Sequence, residues 1–167
     1  MRYSVLMIFF LLSACNRSPE YYYKQGNRLA ISGRGLEAIQ MYNKAILLKK
    51  KYPEALTSRG MVYERFGDAQ KAIYDYKKAI DMDQSYAPAY NNLAALYMDA
   101  GEYKEAVKHL SRVLENEPSY AYALLNRGVA RYNLGDHSAA LADLTKAIKS
   151  DPKLELAYYQ RALCEAK

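Results

Sequence analysis

The chain is predicted to be an all-α solenoid of stacked helix–turn–helix units, and three regularities carry that expectation. Small residues recur every 34 positions, at Gly26, Gly60, Ala94 and Gly128. Parallel columns keep the same period, with Gly33, Gly67, Gly101 and Gly135 in one, Ala38, Ala72, Ala106 and Ala140 in the next, and Ala45, Ala79, Val113 and Ala147 in a third. Larger residues repeat beside them: Tyr22, Leu56, Tyr90, Leu124 and Tyr158 in one column, Tyr42, Tyr76, Leu110 and Leu144 in another. Self-similarity at a period of this length marks copies of one small unit that bury their faces against each other.

Each element of the unit has a physical reason. Two helices approach closely only where one side chain of a facing pair is hydrogen or methyl, so Gly26 and Ala38 with their equivalents define the contact between the two helices of a unit. Gly33 and its column end the first helix, because glycine adopts the left-handed conformation that a helix C-terminus favours. Asp68 and Asp136 follow such glycines directly and can cap the next helix by accepting from its unpaired N–H groups. Pro118 and Pro152 punctuate the far end. The Tyr22 and Tyr42 columns are wedges between helices.

This ladder resembles the tetratricopeptide repeat, whose small, aromatic and proline positions it matches over residues 19–152. The resemblance implies a right-handed α-solenoid. Two departures stand out: the usual tryptophan is absent, and the leucine that usually precedes the eighth-position glycine is replaced by Gln25, Arg59 and Arg127. We read these as family variation. Four repeats are expected at 19–52, 53–86, 87–120 and 121–154, with 155–167 as a capping half repeat that covers the apolar end of the stack.

The front of the chain resembles a bacterial lipoprotein signal. Arg2 precedes eight apolar residues, Val5 to Leu12, and Leu12-Ser13-Ala14-Cys15 follows. The run is too short to span a bilayer stably, and the small residues suit a peptidase. The resemblance implies that residues 1–14 are removed and that Cys15 is lipidated, leaving 15–18 as a short tether. It also implies a lipid-anchored protein of the bacterial cell envelope, with Asn16 after the cysteine leaning toward the outer membrane, facing the periplasm. The alternative is an ordinary cleaved signal or a marginal anchor helix in which Cys15 is incidental.

Composition narrows the function. The formal net charge is +6, and the only dense basic run, Lys49-Lys50-Lys51 with Lys44 nearby, is best read as lysines at the negative pole of a helix. No nucleic-acid partner is expected for an exported chain. His109 and His137 lie in different repeats, without close His or Cys companions, and are expected at the surface with no metal role. No G-x-S-x-G elbow occurs, and Gly33-Arg34-Gly35 follows a helix rather than the strand that a dinucleotide site needs. Neither a cofactor nor an enzymatic activity is expected. Cys164, without an intramolecular disulfide partner once Cys15 is acylated, is expected to be a small core residue.

What remains is recognition. In tetratricopeptide solenoids the first helices line the concave surface, and the resemblance places Asn92, Asn126, Tyr122 and Tyr132 there. Asparagine both donates to and accepts from a peptide backbone, and tyrosine offers rigid apolar area with a polar tip. These four are the candidate peptide-binding residues. The basic carboxylate clamp of chaperone-binding relatives is not expected: only Asn27 fits it, while Tyr23, Ser58, Pro88 and Asn92 occupy its other positions. The leading expectation is a noncatalytic, membrane-tethered adaptor that binds a protein or peptide partner in the envelope. The alternative is a self-associating structural protein or an assembly factor, a homo-oligomer joined through its convex face or last helix.

Overall fold

The computed structural model describes residues 17–166, and within them the chain is a stack of α-helices. The expected signal segment 1–14, the expected lipidation site Cys15, and Asn16 lie outside the described residues. In chain order the helices are α1 (Pro19–Ile31), α2 (Gly35–Leu48), α3 (Pro53–Arg65), α4 (Ala69–Met82), α5 (Ala87–Asp99), α6 (Tyr103–Asn116), α7 (Ala121–Asn133), α8 (His137–Ser150) and α9 (Glu155–Glu165). None is long and apolar enough to cross a membrane.

Local chemistry sets these boundaries. Proline stands in the first turn of α1, α3 and α5, where its missing N–H costs nothing. The turn glycines Gly33, Gly67, Gly101 and Gly135 all have φ between 75° and 83°, as predicted. That conformation lets the following amide fold back, so that Asp68 N–H donates to the Tyr63 carbonyl at 2.9 Å and Asp136 N–H to that of Arg131 at 3.0 Å. Asp68 and Asp136 then cap α4 and α8 by accepting from the Lys71 and Ala139 amides at 3.1 and 3.2 Å.

Within each pair the small column works as a socket. A Cβ added at Gly26 would come within 2.5 Å of the Tyr42 ring, one at Gly60 within 2.6 Å of Tyr76, and one at Gly128 within 2.8 Å of Leu144. The wedges that fill these sockets, Tyr42, Tyr76, Leu110 and Leu144, are all excluded from water. Each such burial contributes about 1.5–3 kcal/mol. Tyr42 and Tyr76 also keep their hydroxyls satisfied, donating to Asn27 and Glu64 at 2.8 Å each.

The arginines that replace leucine have a structural task. Arg59 on α3 donates through Nε and Nη2 to both oxygens of Asp75 on α4, at 2.8 and 2.6 Å, and reaches back to Asn43 on α2. Arg127 on α7 repeats this on Asp143 of α8 at 2.8 and 2.8 Å and reaches back to Ser111 on α6. Arg131 adds a third bond to Asp143 at 2.7 Å. Both aspartates are buried. In the third repeat the same two positions hold buried Leu93 and half-buried His109, whose ring stacks on Tyr97 at 5.4 Å and lies 6.0 Å from Tyr90. The expectation of a surface histidine is therefore corrected for His109, while His137 is exposed.

Helix α9 packs on α8 and α7 through buried Ala157 and Cys164, so Cys164 is the core residue expected of it.

Candidate peptide-binding groove

The first helix of each pair touches the first helix of the next, α1 with α3, α3 with α5, α5 with α7 and α7 with α9. No second helix contacts the next second helix in this way among the described residues. The stack is therefore tighter on the side of the first helices, which form its inner surface.

The four sequence-predicted residues lie on α5 and α7, and the structure gives them different surroundings. Tyr122 is exposed, with its ring 6.3 Å from that of Tyr120. Asn92 is half-buried on α5. Asn126 is half-buried and already engaged, donating to Asn91 of the neighbouring repeat at 3.0 Å. Tyr132 stands at the C-terminal end of α7, with its ring edge-on to His137 at 5.1 Å. Asn126 and the α5 amides form one ledge across two repeats, whereas Tyr132 sits toward the α7–α8 turn.

A cleft lies nearer the front. Set between α1 and α3, it holds about 240 Å³ and is bounded by Asn27, Ile31, Tyr42, Ser58, Met61 and Arg65. Ile31 is 86% exposed and Met61 46%, which leaves both available to a ligand. Polar groups rim them: Asn27 accepts from Tyr42, and Arg65 donates to the Ala30 carbonyl at 3.3 Å while its side chain borders the opening. The tetratricopeptide register puts Asn27, Ser58, Met61 and Arg65 on the inner surface, but nothing in their residue types marks a cleft between them. The signal available was Ile31 itself, an isoleucine one residue before a helix-ending Ser-Gly.

Comparison with known proteins agrees with the fold. Tetratricopeptide-repeat family models match residues 65–101 and 91–155. The repeats of this chain are tetratricopeptide repeats, as their small-residue columns led one to expect. No curated protein gives a significant match. Among solved structures, residues 41 to the end of MamA from Desulfovibrio magneticus RS-1 superpose with a TM-score of 0.77 at 20% identity, covering 90% of this chain and 85% of that one. A tetratricopeptide repeat protein from Parabacteroides merdae gives 0.77 at 23% identity, covering 90% and 60%. YrrB, described as a tetratricopeptide protein with an unusual peptide-binding site, gives 0.71 at 24% identity, covering 86% and 74%. The solenoid fold is thus shared with these proteins.

Proposed function

We propose that the protein is a noncatalytic adaptor that holds an extended peptide segment of an envelope partner along its inner surface and is moored to a membrane through lipid on Cys15. The observation that carries the recognition half is the cleft between α1 and α3, where exposed Ile31 and Met61 face solvent beside Arg65 and Asn27. Apolar side chains offered to water beside polar groups in a groove suit an apolar anchor residue of a peptide, with the amide ledge of Asn91 and Asn126 continuing the track. The anchoring half rests on the Leu12-Ser13-Ala14-Cys15 pattern after a short apolar run. With Ser18 already capping α1, the tether from Cys15 is only a few residues long, so the groove works close to the membrane surface.

A photo-crosslinker placed at Met61 or at Asn126 in whole cells is expected to recover one common envelope partner, and Met61→Asp is expected to abolish its recovery. Recovery unchanged by that substitution rejects the groove. Intact mass of the membrane-extracted protein tests the anchor separately: a chain beginning at Cys15 and carrying acyl mass is expected, and an unmodified chain starting at Met1 rejects it.

A further inference from the structure

The first hairpin holds a cation of its own. Lys49, just past the end of α2, sets its Nζ 4.2 Å from the centre of the Tyr52 ring and 3.7 Å from Glu20 Oε1. An ammonium over an aromatic face and beside a carboxylate is attracted by both. The 34-residue register repeats two of these three residues in the second hairpin, where Glu54 matches Glu20 and Tyr86 matches Tyr52. The third is reversed in charge. Asp83 takes the place of Lys49 and is turned to its own loop, accepting from the Ser85 amide at 2.9 Å and the Ser85 hydroxyl at 2.6 Å. The third and fourth hairpins carry Pro88 and Tyr122 at the glutamate position, so the second alone has the carboxylate and the ring without the lysine.

Glu54 is half-buried in the first turn of α3 and, among the described residues, makes no hydrogen bond or ion pair. Phenols surround it. Burial chiefly raises Tyr52 and Tyr86 above the ordinary phenol pKa, and the Glu54 carboxylate adds to the shift of both, so its charge is felt at each hydroxyl. Tyr23 joins them from α1, with its ring 5.2 Å from that of Tyr52. Thr57, one turn after Glu54, is 4% exposed, and its hydroxyl faces the Tyr86 phenol without a hydrogen bond. A chain of net charge +6 thus presents, on its first helices, one aromatic and uncompensated negative spot.

We propose that Glu54 and Tyr86 form a subsite for a lysine or arginine of the bound partner segment, which they hold as Glu20 and Tyr52 hold Lys49. The inference rests on the inner surface being a peptide track, and it adds a chemical requirement to that track. Glu54 and Met61 lie seven residues apart on α3, which puts them on one face and about 10 Å apart along the axis. An extended peptide covers that length in about three residues. The segment selected carries an apolar anchor for the Ile31 and Met61 cleft and a cation three residues away from it.

The test uses the full chain in detergent and a library of short peptides with leucine fixed at one position and lysine, arginine, norleucine or glutamate fixed at a second. With the two fixed positions three residues apart, the lysine and arginine pools are expected to be retained about tenfold better than the norleucine and glutamate pools. Glu54→Gln, which keeps size and removes charge, is expected to erase that preference while leaving leucine-dependent retention in place. Asp83→Lys, which supplies from within the cation that Lys49 supplies in the first hairpin, is expected to do the same. Equal retention of the lysine and norleucine pools overturns the proposal, as does a cationic preference that survives either substitution. Leucine-dependent retention that is lost in Met61→Asp but shows no cationic preference removes the subsite and leaves the groove standing; retention of no pool at all removes both.

Discussion

Arg127 holds Asp143 through two hydrogen bonds of 2.8 Å, in a setting where Arg127 is 17% and Asp143 7% exposed. A carboxylate so far from water is tolerable only because three donors, two from Arg127 and one from Arg131, replace its hydration.

Asp143→Ala is therefore expected to be among the costliest single substitutions. It strips two partly buried guanidiniums of their acceptor, and breaking a buried pair in this way costs about 3–5 kcal/mol. Urea denaturation monitored by circular dichroism measures it. The simpler pair in the second repeat offers a rescue: Arg59→Leu with Asp75→Leu is expected to recover most of the loss caused by Asp75→Ala alone, because Leu93 already occupies the arginine position in the third repeat.

Gly60→Ala is expected to destabilise the protein although alanine favours a helix by about 1 kcal/mol. The added methyl would sit 2.6 Å from the Tyr76 ring, which is fully buried and has no room to retreat. Overpacking of this kind costs about 1–3 kcal/mol, so the net effect should be a lower melting temperature. The equivalent Ala94, facing Leu110, makes the same methyl harmless one repeat later.

Acid should weaken the third repeat first. Burial holds the His109 imidazole below its ordinary pKa, because the charged form would lose hydration between the Tyr90 and Tyr97 rings. A histidine whose folded pKa is depressed contributes stability that is complete above its unfolded value, about 6.5, and declines as pH falls below it. The midpoint of urea unfolding is expected to drop as pH is lowered from 7 to 5, and to drop less in His109→Gln. A wild-type and variant slope that coincide would assign the acid response elsewhere.

Alkali acts through the tyrosines. Burial pushes the phenols of Tyr42, Tyr52 and Tyr86 up to about 12 and raises Tyr76 further, where the Glu64 carboxylate accepts a hydrogen bond from the protonated hydroxyl. Folded values above the unfolded value of about 10 mean stability is intact below pH 10 and is lost as pH rises toward the folded values. Tyrosinate absorbance is expected to titrate in two phases, exposed rings first, with the second phase coinciding with loss of helicity.

The solenoid was legible because its determinants are steric and periodic. Gly33 and Gly67 announce a turn wherever they stand, and the Gly60–Tyr76 contact can be inferred from two columns of one period. The Arg59–Asp75 and Arg127–Asp143 pairs were harder: each residue alone looks like a solvated charge, and only their joint presence in the second and fourth repeats, with Leu93 and His109 in the third, reveals a contact. The front cleft was only half legible: the repeat register puts Met61, with Asn27, Ser58 and Arg65, on the inner surface, whereas Ile31 and the opening itself depend on how α1 and α3 sit against each other. Asn126 was placed on the right helix but not foreseen as bonded to Asn91, because lateral reach between repeats depends on the curvature of the stack.

The reach-back contacts make the order of the hairpins matter. Arg127 leans on Ser111 of the hairpin before it, and Arg59 leans on Asn43. Excising residues 87–120 would seat Lys77 where Ser111 stood, setting two cations side by side; excising 53–120 would instead hand Arg127 to Asn43, a neighbour of the kind Arg59 already has. Lengthening or shortening by tandem duplication should thus be tolerated in double steps and resisted in single ones, a grammar imposed by side-chain charge on a backbone that is itself indifferent to count.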